Sequence, residues 1–592
     1  MKKTIALIMA LVMVACTLSA CGSGKETSTT NTATTTTNTA ANTAAANTTS
    51  NNTAATATTG SSAPDWTAYN DLITKIKTST DFTAREALLH QAEDMLMDTG
   101  AVCPIYYYND LYMQKKDVSG IYGDVYGNKY FMYASSPRKV LKINLASEPA
   151  HLDPALNSSV DGACLIKNSF AGLFTYDDQG ALQKDLCKDY KVSDDGMTYT
   201  FTLEDGLKWS DGSDLTAQDF VYAWKRAASP DTAADYAYMF STFDGYDKGD
   251  INVTAPDDKT IVATLIAPCA YFLDLCAFPT YMPLKQSAVE AASDWKTNPG
   301  SWASEAGFVS NGAYTLKSWK HEESMVYVKN KYYHNADKVK VEELDFMLSA
   351  DDTAIFAAYN AGDLDFADTV PTNEISNLKS NPEFHIIPNL GTYYIAFNVN
   401  SQLFAGKTTE QANDMRKAIG LLIDRQYIID NVGQCNQEEA TSFIPSGMSD
   451  GHGGIFKSND ADYTYQDKDS CGYYSKGYSD DKVNQARELL KKAGYEFNDD
   501  GTLSDSTPIS FTYLTNDGTG HVAIAEAIQQ DVAVIGIDMQ IETHEWNVFL
   551  DERKQGKFDV AREGWLADFN DPINMLEMWT TESGNNDCQF GK

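Results

Sequence analysis

Apolar and polar residues recur at two different periods along the chain after residue 63. Residues 83–97 place apolar side chains at helical spacing, which predicts a helix with one buried face, and residues 415–427 are also predicted to be helical. Residues 199–203 and 260–265 alternate apolar and polar positions, which is typical of half-buried strands. Because strand and helix patterns alternate around one long central return, the sequence predicts mixed α/β lobes joined by extended crossovers.

Two aromatic-rich segments predict further strands. Residues 104–108, Pro-Ile-Tyr-Tyr-Tyr, form an aromatic run opened by proline, and residues 392–398 predict a strand that crosses between lobes. The whole chain has 33 Tyr. Tyr combines an apolar face with a hydroxyl group, which suits ligands of varied chemistry. A Tyr-rich surface without ligand contacts is the alternative interpretation.

The stretch 558–572 combines a short strand with aromatic and acidic residues. An apolar strand over 558–561 leads through Gly564 and Trp565 to Asp568. A buried carboxylate is costly unless a positive group pairs with it, so an unpaired Asp568 would attract a ligand ammonium. Gly564 would let a ligand backbone approach closely. The alternative is a strand end followed by an aspartate that caps a helix.

The first 63 residues differ from the rest of the chain. Two lysines precede an apolar run over 5–14, which is the layout of a secretory signal and too short for a stable membrane span. Residues 18–21, Leu-Ser-Ala-Cys, resemble a bacterial lipobox. We therefore expect a lipoprotein signal peptide in 1–20 and lipidation of Cys21, the alternative being an ordinary signal with a chance cysteine. Residues 21–63, rich in Thr, Asn and Ala, would tether the lipid flexibly to the folded body.

Charge and motif content narrow the function classes. The formal net charge is −36 and the pI is near 4.5, which excludes nucleic acid as a direct partner. The length of 592 residues corresponds to roughly three or four domain-sized units. His-Glu-x-x-His, Gly-x-Ser-x-Gly and Walker-type motifs are absent, and His452 stands in a Gly-His-Gly-Gly loop. We expect no catalytic residue, no cofactor and no metal site.

Two long motifs carry a family resemblance. Residues 564–572 follow the pattern Gly-Trp-x-Ala-Asp-(aromatic)-x-Asp-Pro, and residues 207–224 combine a tight turn with a capping-box start of a helix. Both motifs resemble the oligopeptide-binding proteins, the solute-binding subunits of peptide ABC importers. The resemblance implies an α/β, two-lobed periplasmic-binding-protein-like fold of type II with an extra domain, its mixed sheets joined by hinge crossovers.

The order of the segments departs from that family. Residues 64–135, a helix followed by a Pro-x-Tyr-Tyr-Tyr strand, resemble the C-terminal part of the family, whereas residues 141–154 resemble its usual beginning. The order therefore resembles a circular permutation, unless it is an assembly or annotation artefact. The expected division is lobe I in 136–170 and 283–389, an extra domain in 171–282, a second ligand-binding lobe in 390–592, and residues 64–135 completing both lobes.

The resemblance also implies a ligand site. In the family an extended peptide lies between the lobes and adds strand-like backbone hydrogen bonds. Asp568 would pair with the α-ammonium of the peptide, and Arg562, with Arg553 as the weaker candidate, would meet its carboxylate. The remaining expected contributions are backbone groups of Gly564, Leu566, Ser158 and Val160, and cleft-lining side chains of Tyr236, Tyr394, Tyr108 and Trp565. Core packing is the alternative for each Tyr.

Three features depart from the family pattern near this site. Ser158 stands where an acidic residue is frequent, and Asn389 stands where a Tyr is common. Gly391 and Leu566 match the positions of a disulfide that some members carry, so that bond is absent. We therefore expect side-chain pockets that differ from those of the family.

These expectations combine into a binding function. We expect a monomeric, lipid-anchored protein on the outer face of the cytoplasmic membrane that closes on peptides and delivers them to ABC importer permease subunits. The same fold could bind another small solute, such as a dipeptide, a signalling peptide or a metal chelate. The alternatives from other classes are an exported hydrolase, for which no nucleophile–base or paired-carboxylate arrangement is recognisable, and a surface adhesin.

Overall fold

The computed structural model describes residues 62–145, 147–459 and 463–592. The expected signal peptide 1–20, the lipidation site Cys21 and all but the last two residues of the tether 21–63 lie outside the described residues. In the part that is described, no helix has both the length and the apolarity that crossing a bilayer requires.

Helices and strands alternate along the described chain. The helices are Thr67–Lys77 (α1), Phe82–Asp98 (α2), Val160–Ser169 (α3), Ala217–Ala228 (α4), Phe272–Leu275 (α5), Gln286–Val289 (α6), Asp352–Ala361 (α7), Ile375–Leu378 (α8), Thr409–Leu422 (α9), Arg425–Ile428 (α10), Asp480–Lys492 (α11), Thr519–Ala533 (α12), Trp546–Lys554 (α13) and Ile573–Glu577 (α14). The strands are Val102–Gln114 (β1), Tyr122–Gly123 (β2), Lys129–Tyr130 (β3), Val140–Asn144 (β4), Phe174–Tyr176 (β5), Leu182–Lys184 (β6), Cys187–Val192 (β7), Thr198–Leu203 (β8), Val253–Asp257 (β9), Thr260–Thr264 (β10), Tyr314–Lys320 (β11), Ser324–Lys329 (β12), Glu343–Met347 (β13), Phe366–Ala367 (β14), Phe384–Phe397 (β15), Glu438–Glu439 (β16), Ser510–Asn516 (β17), Asp538–His544 (β18) and Val560–Leu566 (β19).

A large mixed sheet holds the molecule together. Its strand order is β11-β12-β13-β4-β14-β1-β15-β19-β17-β18, with β16 beside β1. Parallel pairs lie on both sides, and the two long antiparallel strands β1 and β15 lie between them. β1 reaches β14 at Met113 and Gln114, whereas β15 pairs with β19 from Gly391 to Phe397. The two long strands therefore belong to both halves, as expected of extended crossovers.

The register between β1 and β15 shifts at two places, between Pro104 and Tyr106 and again between Tyr107 and Asn109. Such bulges bend a strand and increase its twist locally. The mixed α/β architecture and its long connecting strands confirm the fold predicted from the sequence.

The second family-like motif of the sequence, residues 207–224, has a structural role. Asp219 accepts a hydrogen bond from the N–H of Thr216 at 2.8 Å and completes a capping box at the start of α4. Trp224 on this helix is fully buried and donates its indole N–H to the carbonyl of Tyr281 at 2.7 Å. The helix packs on a four-stranded sheet of order β7-β8-β10-β9, inside the region 171–282. The domain boundaries themselves stay a prediction.

The single helix predicted over 415–427 is wrong. α9 ends at Leu422, Ile423 is extended, and α10 begins at Arg425. The cause is Asp424, whose side chain accepts a hydrogen bond from the N–H of Tyr427 at 2.9 Å and so caps a new helix. Because an apolar period continues across the break, spacing alone does not reveal it.

The front segment 64–135 packs into the core beside the last described residues. Trp66 donates its indole N–H to the carbonyl of Trp579 at 2.8 Å, and its ring stacks on Phe590 with centroids 4.0 Å apart. α2 contacts α14, and β1 lies in the middle of the large sheet. Residues 64–135 are therefore an integral part of the fold and not an appended module.

Candidate ligand site

Two adjoining cavities lie beside β1 and β19. The larger has a volume of ≈ 530 Å³, and the narrower one has ≈ 70 Å³. Both are lined by residues around the start of α3 and the end of β19, namely Ser158, Ser159, Val160, Gly564 and Leu566. The narrow cavity ends at Asp568, so the two together form an elongated cleft with a carboxylate at one end.

Asp568 has only neutral hydrogen-bond partners. One carboxylate oxygen accepts from the hydroxyl of Tyr236 at 3.3 Å, and the other accepts from the amide of Asn574 at 2.9 Å. No Lys or Arg nitrogen of the described residues lies within 4.0 Å of it. Lys167 lines the same cavity but donates to the carbonyl of Ala277 at 2.9 Å. Burial raises the pKa of Asp568 to about 7, although both hydrogen bonds oppose the rise.

Asn574 fixes the orientation of this end of the cleft. Its side-chain oxygen accepts hydrogen bonds from the N–H of Asp568 at 3.0 Å and from the indole N–H of Trp565 at 3.1 Å. Asn574 is fully buried in the first turn of α14, a helix that begins one residue after Pro572. Sequence reasoning missed it, because an Asn at a helix start is usually interpreted as a local cap.

The edge of β19 that faces the cleft is open. β15 pairs with this strand along its whole length, but on the other edge β17 reaches no farther than Ala561. Hydrogen-bonded residues alternate along an antiparallel ladder, and Ala567 donates its N–H to the carbonyl of Leu390 at 2.7 Å. Gly564 and Leu566 therefore direct their N–H and C=O groups away from β15. No strand of the described chain takes up those groups, so an extended ligand could pair with them.

Gly564 has a second role that the sequence does not reveal. A Cβ at this position would lie 2.1 Å from the hydroxyl oxygen of Tyr108. The missing side chain thus makes room for Tyr108, which lines the larger cavity. That Gly564 also makes room for a ligand backbone stays a prediction.

The two candidate arginines differ in their partners. Arg562 donates its Nε–H to Asn516 at 2.8 Å and stacks near Trp546 and Phe549, with its guanidinium 5.2 and 5.0 Å from the ring centroids. It is buried and lines the larger cavity, and no carboxylate of the described residues lies within salt-bridge distance.

Arg553 also lines the larger cavity, but it forms salt bridges with Glu563 at 2.8 Å and with Asp587 at 2.9 Å. The charge of Arg553 is therefore already matched, and Arg562 is the better candidate for binding a ligand carboxylate.

The remaining predicted residues divide into two groups. Tyr236 and Trp565 lie beside Asp568, with ring centroids 6.1 Å apart, and Val160 is 38% exposed towards the cleft. The structure does not bring Tyr394 to the cleft. It is 1% exposed and packs edge-on against Phe443 and Trp579, so the alternative of core packing applies to it.

The position expected to depart from the family, Ser158, is linked to an acid that sequence reasoning missed. Its hydroxyl donates to Asp235 at 2.8 Å, and Asp235 in turn pairs with Lys554 at 2.6 Å. A carboxylate therefore lies beside Ser158, but it comes from Asp235 and is already neutralised by Lys554. Asn389, the other departure, lines the larger cavity.

A buried ion cluster in the wall of the larger cavity was also missed. Lys129 lies between Asp110 and Asp368, with 3.1 Å between its ammonium and Asp368. Burial raises the pKa of Asp368. These residues come from three different strands or loops, and no short motif predicts their meeting.

The architecture is typical of one class of protein. Two halves that share a sheet through long crossover strands, with a ligand-sized cleft along the open edge of one strand, make a two-lobed solute-binding protein. Comparison with protein families then gives the membership. Residues 181–587 match the model of the bacterial extracellular solute-binding proteins, family 5 Middle, and the chain belongs to that family.

Individual relatives agree with this assignment. Oligopeptide-binding protein OppA of Bacillus subtilis is 34% identical over 469 residues, which cover 76% of this chain and 79% of that protein. Dipeptide-binding protein DppE of the same organism is 31% identical over 461 residues, with coverages of 76% and 79%. These relatives are solute-binding proteins and not enzymes, and the family is extracellular, so the chain belongs to an exported, non-enzymatic class.

Solved structures give the same fold. Haemophilus influenzae OppA in complex with RPPGFSPFR has a TM-score of 0.65 and 27% identity, covering 77% of this chain and 85% of that chain. The murein tripeptide binding protein MppA of Escherichia coli has a TM-score of 0.64 and 28% identity, with coverages of 76% and 84%. The chain therefore has the fold of these solved solute-binding proteins, in agreement with its family.

Proposed function

We propose that this protein captures peptides that have a free N-terminus and delivers them to an ABC importer in the membrane. The peptide lies extended along the open edge of β19, with its α-ammonium at Asp568 and its carboxylate towards Arg562. Closure of the two halves about β1 and β15 then excludes water and strengthens the ion pair. The names of the relatives, oligopeptide-binding and dipeptide-binding protein, support peptides as the solute class.

The observation that carries the proposal is the chemical state of Asp568. Its carboxylate lies at the end of a narrow cavity with neutral partners, and its pKa is raised to about 7 by burial. An incoming ammonium would favour the charged form and replace the missing counter-charge. The open backbone groups of Gly564 and Leu566 supply contacts that every peptide satisfies, whatever its side chains.

The test is a titration of Asp568→Asn with two matched peptides, one with a free N-terminus and one acetylated. We expect the free peptide to lose about 2–5 kcal/mol of binding free energy in isothermal titration calorimetry, and the acetylated peptide to change little. Asp110→Asn is the matched control, because it also removes a negative charge from the cleft wall but one already paired with Lys129. Equal losses for both peptides would mean that Asp568 supports the structure and does not recognise the amine.

Mass spectrometry of the ligand released from natively purified protein separates the solute classes. Intact peptides of mixed sequence support the proposal. A single dipeptide, a single signalling peptide or a metal chelate would assign a narrower solute to the same fold. Steady cleavage of added peptides would instead support the exported hydrolase, and the absence of thermal stabilisation by any small peptide would support an adhesin.

We also propose that the protein is a monomer anchored through acylated Cys21 to the outer face of the cytoplasmic membrane. The lipobox-like sequence and the polar tether after it support this location. Cys21→Ser should release the protein from the membrane fraction into the medium, whereas the unaltered chain should partition into detergent. Equal release of both would contradict lipid anchoring.

The unusual segment order is a further proposal. Support comes from β1, which lies between β14 and β15 in the large sheet, and from α1, which packs beside the last described residues. If the order is a genuine circular permutation, peptide mapping of the native protein will yield a single peptide that spans residues 133–138. Failure to find this junction, with full coverage on both sides, would identify an artefact of the gene sequence.

A further inference from the structure

Three side chains of types that can bind a metal converge outside the two cavities of the candidate ligand site. Glu86 lies on α2, and Asp450 and His452 lie in the loop 449–455. One ligand atom from each lies within 4.8 Å of the others. The Nε2 atom of His452 is 2.7 Å from a carboxylate oxygen of Glu86 and 3.7 Å from one of Asp450. Spacing along the chain does not predict this cluster, because α2 and the loop are far apart in the sequence.

The loop holds the Asp450 carboxylate in a fixed orientation. One of its oxygens accepts hydrogen bonds from the N–H groups of His452 at 2.8 Å and Gly454 at 2.9 Å. The other oxygen is thereby turned towards His452. A Cβ at position 454 would lie 2.2 Å from this second oxygen, so only Gly leaves space for the carboxylate. The loop therefore presents a nitrogen and an oxygen ligand from an Asp-x-His sequence with little freedom.

Glu86 has a second neighbour on its own helix. His90 follows it by one helical turn, and its Nε2 atom lies 3.9 Å from a carboxylate oxygen of Glu86. The His90 ring is buried and stacks on Phe456 and Tyr463 with centroids 4.0 and 3.7 Å apart. Outer partners of this kind orient metal-binding carboxylates and contribute to affinity.

We propose that Glu86, Asp450 and His452 bind a divalent transition-metal cation of the zinc class, with water completing the coordination. One imidazole nitrogen and two carboxylate oxygens suit Zn²⁺, which accepts mixed nitrogen and oxygen ligands in tetrahedral geometry. Ca²⁺ needs more oxygen ligands than this site offers, and Mg²⁺ prefers oxygen ligands to an imidazole nitrogen. Binding requires neutral His452, so any proton that it shares with Glu86 leaves to solvent when the cation binds.

A second group of similar composition provides an internal comparison. Glu542, His544 and Glu552 also bring one ligand atom each within 4.8 Å. Their side chains are 51%, 29% and 27% exposed, and two of them lie on β18 at the edge of the sheet. The two carboxylates of the first group are less exposed, at 15% for Glu86 and 9% for Asp450, whereas His452 and His544 are similarly exposed, at 33% and 29%. The similar exposure of the two histidines makes His544 the matched control residue for His452.

The position of the site links it to the segment that carries Asp568. The N–H of Ser449 donates to Asn570 at 2.9 Å, and a Cβ at Gly451 would lie 3.4 Å from both Arg85 and Asp571. The loop therefore packs over the Arg85–Asp571 ion pair. A cation bound by Glu86, Asp450 and His452 would link this loop to α2. The expected consequence is a metal-dependent increase in thermal stability.

The test uses the full chain after treatment with a chelator. Titration with Zn²⁺ should show one saturable site in the unaltered protein, at least tenfold weaker binding in His452→Ala and in Glu86→Gln, and unchanged binding in His544→Ala. Parallel titrations with Ca²⁺ and Mg²⁺ should show no such site. The Zn²⁺-dependent rise in the melting temperature should be lost in the first two variants only.

Circular dichroism of each variant with EDTA checks that the fold is retained, and using two variants guards against one of them failing to fold. Zn²⁺ binding that survives both His452→Ala and Glu86→Gln would overturn the proposal. So would a site that disappears in His544→Ala, or the absence of saturable Zn²⁺ binding in the unaltered protein. None of these results depends on whether peptides bind in the cleft.

Discussion

Asp568 and Asp571 lie in the same short stretch but have opposite surroundings. Asp571 accepts two hydrogen bonds from the guanidinium of Arg85, at 2.9 and 2.8 Å, and both side chains are buried. Asp568 has only the neutral groups of Tyr236 and Asn574. A matched buried charge holds the structure together, whereas an unmatched one at the end of a cavity is available to a ligand.

The same contrast separates the two arginines of the cleft. Arg553 is matched by Glu563 and Asp587, and Arg562 by neither. Asp568 and Arg562 are thus a carboxylate and a guanidinium of the cleft that form no salt bridge among the described residues, in contrast to Arg553 and to Lys129. The charge variants below test whether this distinction between matched and unmatched charges assigns function.

The largest effect is expected at the matched pair. Asp571→Ala leaves the Arg85 guanidinium buried without a partner, and should lower the free energy of unfolding by about 3–5 kcal/mol in urea denaturation. The double variant Arg85→Met with Asp571→Leu should lose less than the single one, because no unpaired charge remains. A single variant within 1 kcal/mol of the parent, roughly the scale of an exposed pair, would contradict a structural role.

At the unmatched arginine the expected effect falls on binding. Arg562→Gln should weaken a peptide with a free C-terminal carboxylate by about 2–3 kcal/mol in calorimetry, and its amidated counterpart much less. Arg553→Gln is the control, and should lower stability because it leaves Glu563 and Asp587 buried without a counter-charge. If Arg562→Gln affects both peptides alike, the carboxylate is bound elsewhere.

The packing of the cleft wall gives a smaller effect. Gly564→Ala places a Cβ 2.1 Å from the hydroxyl of Tyr108, and should cost about 1–2 kcal/mol of stability with weaker peptide binding. Adding Tyr108→Phe removes the clashing oxygen and leaves the ring carbon as neighbour at 3.1 Å, so part of the stability should return. An unchanged free energy of unfolding in Gly564→Ala would show that Tyr108 moves aside at little cost.

The smallest effect is a pH dependence of peptide affinity. The pKa of Asp568 is raised to about 7 in the free protein, and an ammonium ligand binds the ionised form. Affinity for a free-amine peptide should therefore rise with pH by up to about tenfold per unit below 7, and level off above it. Titrations at several pH values measure this slope.

Other ionisable groups act on Asp568 or border its cavity. Tyr236 and Lys167 border the same cavity, and the charge of Glu577 also raises the pKa of Asp568. Asp568→Asn is the control, because it should flatten the slope while leaving these groups in place. A slope that persists in this variant would assign the titration to one of them.

Features determined by neighbouring residues could be predicted from the sequence. The helix over 83–97, the strands at 199–203 and 260–265 and the capping box at Thr216 are all present within a few residues of their expected ends. Each depends on spacing or on a side chain bonding to backbone nearby. The cleft position of Asp568 followed from the family motif and not from its local pattern.

Features that depend on distant pairing could not be predicted. Arg85 and Asp571 are separated by 486 positions, and nothing local marks Asp571 as paired and Asp568 as unpaired. Alternation along β15 predicts that the side chains of Tyr393 and Tyr394 point to opposite faces of the sheet. It does not predict that Phe443 and Trp579 cover Tyr394. The expectation of no metal ligand at His452 rested on scattered histidines, and the fold brings carboxylates to it.

The central place of β1 in the sheet has a consequence for how the chain is made. This Tyr-rich strand emerges early during synthesis, yet its neighbours β14 and β15 begin only at Phe366 and Phe384. Until those segments have crossed the membrane, β1 is an exposed apolar strand with two unsatisfied edges, the kind of segment that aggregates. During export the front of the molecule therefore stays prone to self-association until the segment that forms β15 has followed it.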